Sequence, residues 1–379
     1  MSLSYRDRRS RAQHIVRLSI VISALLPFAA AAAAPSPGRS GGALVLPAGP
    51  AKPGFEVSRF NPAVFGTFET FHVSDTRSLR DALRSGLVAE DTDLLVTDVG
   101  GATIALLVEQ MAYHHLAQGR TSGANWLVTF CVVCNTATRL SPVLDGKMAR
   151  FETAGVYDGL LVMQDDATLT LWNHISGEAL YGPRVGTRLG AVANVLQMTV
   201  KQALAKDAAA RVAISNRMYV AGGRRHGTAP GIELLGRAHS RPDPRVGLTD
   251  VFAATLGAED ARRPRMDLGL GVWTETSARY YPRELLRRQG GALIDRFDGR
   301  QLLVYVDPDT STPAAIFVDA ARARLEGDTV TLDGNRVVRH GVLLDGRGKR
   351  LPAERPLQVF TRWYGFALTF PGTQVYGQE

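Results

Sequence analysis

Cys131 and Cys134 are the only cysteines in 379 residues, and that shortage removes several chemistries at once. With no second Cys-x-x-Cys pair, a four-sulfur zinc site is excluded. Asn135, not histidine, follows Cys134, which argues against covalent c-type haem. There is no nucleophile elbow at a strand-to-helix turn, no zinc-protease motif and no Rossmann fingerprint, so hydrolase and dinucleotide readings have no support. "GPRVG" (182–186) lacks the lysine and following helix of a phosphate loop and reads as a turn. Beyond the N-terminal leader no run of roughly 20 apolar residues occurs, so no integral membrane segment is expected in the mature chain. Lysine is scarce; the formal charge of +8 owes much to leader arginines, and the other arginines are scattered among acids. A nucleic-acid-binding face is therefore not expected.

What is present begins with Arg6, Arg8, Arg9, Arg11 and Arg17, followed by "LSIVISALLPFAAAAAAP". This pattern predicts a signal peptide over 1–34, cleaved near Ala34, and hence a periplasmic or secreted protein. The pair Arg8-Arg9 lacks the apolar residues that follow a twin-arginine signal, so the general secretory route is expected. Residues 35–54 are rich in Pro, Gly and Ala and read as a flexible linker. A first half is expected over 55–220, a turn-rich connector over 221–265 and a second half without cysteines over 266–379.

Within the first half, "DTRSLRDALRSG" (75–86) predicts a short helix, and the apolar period of 102–119 predicts a longer one. "NWLVTFCVVC" is β-branched and aromatic and predicts a buried strand. "MARFETAG", "GLLVMQDD", "LTLWNH" and "EALYGP" predict a β meander, and 194–210 returns to a helical period. A shift of 175 positions lays "LLVYVDPDT" (302–310) on "LVTFCVVCN" (127–135), with Val306 and Asp309 in the places of the cysteines. The expected fold is α+β, rich in antiparallel strands, in two related halves from an internal duplication. Phe360, Trp363, Phe366 and Phe370 near the end of the chain are read as core packing.

"VTFCVVCNTA" (128–137), "LLVMQD" (160–165), Trp172 and "GEALYGPRVGTRL" (177–189) occur in one order and spacing, and the chain closes on "WYGFALTFPGTQVYG". In these pieces it resembles domain of unknown function 3179, found mostly in bacterial exported proteins and without an assigned biochemical role. The resemblance spans roughly residues 60–377. It places the family's histidine on His114, seventeen residues before Cys131, and makes Asp165, Trp172, Gly177, Gly182, Pro183 and Gly186 motif positions. Selenocysteine in some members of the family implies redox chemistry. Three positions depart from the pattern: Val132 replaces proline, Asn135 replaces glycine and His115 replaces glutamate.

Three readings of the cysteine pair remain open. A redox dithiol would use Cys131 and Cys134 as attacking and resolving thiols with His114 as base or charge partner, in thiol–disulfide or peroxide-type chemistry with a periplasmic redox partner. An inert disulfide would make the protein a non-catalytic binding or scaffold protein, although so short a loop adds less than the roughly 3 kcal/mol of a 15-residue one. No cofactor is predicted by any motif. A copper or zinc site would draw on Cys131, Cys134 and His114, with His115 and His174 the other histidines at hand.

Overall fold

The computed structural model describes residues 44–379 except 63, 64, 67, 191, 217, 218, 222, 223, 227–247 and 379. The expected signal peptide, the start of the linker and the middle of the connector lie outside the described residues.

The fold is strand-rich α+β with mostly antiparallel sheets. Ala102–Leu107 is a strand, not the first turn of a long helix, and Val108–His114 alone is helical. Ala102–Leu107 pairs antiparallel with Asp93–Val99 and parallel with Arg211–Ala213, and is buried from Thr103 onward. A central strand covered on both faces carries a continuous apolar run, and hydrophobic period alone does not separate it from a buried helix. Residues 194–210 differ from expectation in the same way: strand Leu196–Thr199 runs into helix Val200–Lys206, whose start is fixed by a capping box between Thr199 and Gln202. The early helix is Leu79–Arg84, capped by Ser78.

Helix Val108–His114 feeds an antiparallel sheet of Leu116–Thr121, Ala124–Cys131 and Thr136–Leu140. The four meander segments form one antiparallel sheet, Phe151–Tyr157, Leu160–Asp165, Leu171–Asn173 and Ala179–Tyr181.

The order of elements recurs further along. Leu268–Trp273 and Ala278–Pro282 form a hairpin, helix Arg283–Arg288 follows, and Ala292–Phe297, Arg300–Val306 and Pro313–Phe317 make an antiparallel sheet. A four-stranded meander spans Ala323–Glu326 to Val342–Leu344. Strand Leu357–Arg362 then pairs antiparallel with Leu268–Trp273, helix Trp363–Thr369 follows, and Gln374–Val375 pairs parallel with Ala278–Pro282. Leu196–Thr199 and Arg211–Ala213 make the corresponding antiparallel and parallel pairings in the first sheet.

Burial explains where the pieces meet. One core cluster gathers Leu127, Cys131, Cys134, Leu160, Met163, Trp172 and Tyr364. Tyr364 belongs to the C-terminal helix, and its hydroxyl donates to the Gly159 carbonyl at 3.0 Å. The closing aromatics therefore pack as expected, with Trp363 and Phe366 buried, and the same helix reaches the cysteine loop. Gly365 permits that approach: a Cβ there would stand 2.8 Å from Leu160 Cδ2 and 3.8 Å from Cys134 Cβ.

Candidate functional site

Strand Ala124–Cys131 delivers Cys131 at its end, where it pairs with Thr136 across a four-residue turn. The turn brings the two sulfurs to disulfide-bonding distance, with Cα atoms 5.6 Å apart. Asn135 closes it at φ 56°. Asparagine is among the few residues with a side chain that visit the left-handed region readily, so it meets the backbone demand that glycine meets in the family pattern. Its side chain adds ties that glycine lacks, donating to the Phe360 carbonyl at 3.3 Å and accepting from Gln197 at 3.3 Å.

The strand Leu357–Arg362 clamps this loop from the far end of the chain. Arg362, only 2% exposed, donates from Nε to the Val133 carbonyl at 2.8 Å and from a terminal nitrogen to the Met266 carbonyl at 2.9 Å. Its backbone N–H donates to the Cys134 carbonyl at 3.1 Å, and the Thr361 hydroxyl reaches the same oxygen at 3.2 Å. These residues were not legible as site residues, because nothing in the spacing of a loop and a strand over 220 positions later signals contact.

The three histidines take different places. His114, expected beside the cysteines, has Nδ1 2.6 Å from the Glu69 carbonyl and Nε2 2.9 Å from the Ser215 hydroxyl. The histidine beside Cys134 is instead His174, with Nε2 3.9 Å from its Sγ and Nδ1 3.4 Å from the Thr129 hydroxyl. It sits just past strand Leu171–Asn173, which the meander folds over the cysteine loop. His174 is fully buried, and burial, followed by the like charge of His115, pushes its pKa down to about 3. At neutral pH it is an uncharged imidazole that can accept from a thiol or, as the other tautomer, donate to a thiolate.

His115 ends the Val108–His114 helix at φ 58°, and its carbonyl accepts from the Phe130 N–H at 2.7 Å. That bond places the residue next to the end of the cysteine strand. Its ring stacks obliquely on Phe68 at 4.1 Å between centroids, and among the described residues its Nδ1 has no hydrogen-bond partner. Burial lowers its pKa to about 4, and the Met111 and Phe130 backbone carbonyls offset only part of that. One ring of the His114-His115 pair would face outward on a regular helix, yet both are buried, because the chain turns at His115.

Cys131, His115, Phe68, Val133, Leu161 and Phe252 are among the residues lining a cavity of about 180 Å³. Cys134 does not line it. The two residues thus differ: Cys131 is among those lining the cavity, and Cys134 has His174 Nε2 3.9 Å from its sulfur.

The motif positions form a support behind this loop. Asp165 is 1% exposed, and its carboxylate accepts from the N–H groups of Ala167, Thr168 and Thr170, from the Thr168 hydroxyl and from Trp172 Nε1 at 2.9 Å. Trp172 is fully buried in the cluster that holds both cysteines. Gly177, Gly182 and Gly186 all have positive φ, at 69°, 115° and 93°, while Pro183 is exposed in the turn that follows Ala179–Tyr181.

One ligand atom each of Cys131, Cys134 and His174 lies within 4.8 Å of the others, so the three side chains form a buried Cys-Cys-His group. The metal-type grouping found here includes His174 where the sequence pointed to His114. When reduced, two thiolates and one imidazole suit a soft ion such as copper(I).

The fold and site define a strand-rich α+β protein centred on a buried Cys-x-x-Cys loop. A family model described as "Protein of unknown function (DUF3179)" matches residues 71–372, and the chain belongs to that family. No curated protein and no solved structure shows significant similarity to it. Among the described residues no helix is long and apolar enough to cross a membrane.

Proposed function

We propose that the protein is a thiol–disulfide redox protein in which Cys131 exchanges with the substrate and Cys134 is the internal partner. The asymmetry of the pair carries this reading: Cys131 lines a cavity, while Cys134 has an imidazole nitrogen 3.9 Å from its sulfur. A purely structural clip uses neither feature. An incoming thiolate attacks Cys131 Sγ, the Cys131–Cys134 bond breaks, and Cys134 leaves with the electron pair, stabilised by the Nε2–H tautomer of His174. A second thiol attacks the mixed disulfide, so two thiols become one disulfide and the protein pair is left reduced.

The leader supports export, to the periplasm or beyond it, which is where a disulfide of this kind persists. The matching order of hairpin, helix, three-stranded sheet, meander and strand-helix-strand supports an internal duplication, with a first half over 55–220 and a second over 266–379. On that reading the second half has given up thiol chemistry and holds the first half's loop through Thr361 and Arg362.

A second reading rests on the Cys-Cys-His group: the reduced pair and His174 would hold copper(I) or zinc. Redox titration of the purified mature protein, with metal analysis of the same sample, separates the readings. The redox function requires a reduction potential above about −300 mV with substoichiometric metal. A potential well below that value with no metal would leave an inert disulfide, and stoichiometric metal lost on His174→Ala would establish the second reading.

A further inference from the structure

The walls of the Cys131 cavity are not held alike. Val156 and Leu161 come from the meander hairpin and His115 from the end of the Val108–His114 helix, and all three are buried. Phe252 lines the same cavity from the one-turn helix Asp250–Ala253, which contributes no buried residue and has no side-chain cap at Thr249. A single helical turn is not stable alone, so this segment keeps its shape by docking. Its downstream end is anchored. The Thr255 carbonyl accepts from the Asp158 N–H at 3.1 Å and from Arg59 at 3.2 Å, the Thr255 hydroxyl accepts from the Gly159 N–H at 2.9 Å, and the Gly257 N–H donates to Asp158 Oδ1 at 3.0 Å. Arg59 also pairs with the Asp158 carboxylate. Gly159, at φ 67°, lets Leu256 come close: a Cβ there would stand 3.1 Å from Leu256 Cδ2. The anchor therefore sits on the turn of the same hairpin that supplies Val156 and Leu161, while Phe252, upstream of it, lines the cavity and is partly exposed. Cys131 itself is only 4% exposed, so its access to reagents runs through the cavity.

We propose that Phe252 is the gate of this cavity and determines the size of the group that reaches Cys131. An apolar cavity of about 150 Å³ accommodates benzene, so the roughly 180 Å³ present with the Phe252 ring in place has room for one compact group. A larger group enters only when the Asp250–Ala253 turn lifts about its anchor at Thr255 and Gly257. Short segments with one fixed end gate access to reactive groups in this way, and the residue that closes the opening sets what passes. The consequence for substrates rests on the redox reading: the partner of Cys131 is then a thiol or disulfide carried on a narrow arm, and the surface of a folded protein is turned away.

Two haloacetamides of one chemistry and different bulk, iodoacetamide and iodoacetamidofluorescein, test the gate apart from the redox reaction. They are applied to the reduced, native, full-length mature protein, Cys131 is followed by peptide mass spectrometry, and each rate is divided by that of glutathione. Phe252→Ala should speed labelling by the bulky reagent at least about tenfold and by the small one less than about threefold. Phe252→Leu, the milder change, should give an intermediate ratio of the two rates. Val156→Ala enlarges the cavity from the strand side without touching the gate, and should leave that ratio within about twofold of wild type. A ratio unchanged in both Phe252 variants, equal acceleration of both reagents, or a Val156→Ala ratio that matches Phe252→Ala overturns the gate. The expected labelling pattern in a protein whose potential lies below about −300 mV leaves the gate standing and removes the redox reading; a potential above that value with an unchanged ratio in the Phe252 variants does the reverse.

Discussion

Asp165→Ala is expected to lower the free energy of unfolding by roughly 4 kcal/mol, measured as the shift in a urea midpoint at pH 7.5. The carboxylate is buried and accepts from three backbone N–H groups, one hydroxyl and one indole N–H, and alanine leaves all five donors without it. An orphaned buried donor costs about 1–3 kcal/mol, and a bond to an ionised group is worth more than a neutral one. Relaxation of the 165–170 turn recovers part of the sum. Asp165→Asn keeps one acceptor oxygen but turns an amide toward the remaining donors, so an intermediate loss is expected. A loss under about 1 kcal/mol for Asp165→Ala would mean that the turn does not anchor Trp172 and the loop beneath it.

Acid sensitivity between neutrality and about pH 4 is the second large expected effect. His115 and His174 have folded pKa values of about 4 and about 3, both below the ordinary value of 6.5. As the pH falls below 6.5 the unfolded chain binds protons that the folded protein refuses, so stability is full above that pH. It is then lost as the pH falls toward the folded values. Each group costs about 1.4 kcal/mol per pH unit in that window, so roughly 5 kcal/mol should disappear between pH 7.5 and 4.5. His72, lowered mainly by burial, adds in the same direction. Carboxylates such as Glu354, held down by its hydrogen bond to Arg300, act only at lower pH. His174→Gln should remove one proton from the slope. Unfolding free energy that stays flat from pH 7.5 to 4.5 would contradict the burial of both imidazoles.

The parts of the fold that could be read from the chain were those with an unambiguous period or turn. The meander from Phe151 to Tyr181 alternates with clear turn residues, and it forms one sheet as expected. The cysteine strand and the short helix after Ser78 were legible for the same reason. Ala102–Leu107 was not, because a strand buried between two neighbours loses the polar face that would show its period of two.

The site was half legible. Cys131 and Cys134 were recognisable by spacing, and Asp165 and Trp172 by the family pattern. The partner histidine was not, because His114 and His174 were indistinguishable until the meander folded over the loop and the helix end at His115 turned His114 toward Ser215. Arg362 and Thr361 carry no local signature of their role; only the return of Leu357–Arg362 alongside the loop reveals it. The departures at Asn135 and His115 both fall at positive φ, so the two substitutions sit where the backbone is least forgiving.

Limited alkylation of the reduced, native protein tests the division of labour between the two sulfurs most directly. Iodoacetamide is added in a short pulse, and peptide mass spectrometry maps the modified cysteine. The expected result is modification of Cys131 at least tenfold faster than of Cys134, since only Cys131 lines the cavity. Equal rates, faster labelling of Cys134, or silence at both sulfurs until the protein is unfolded would contradict it.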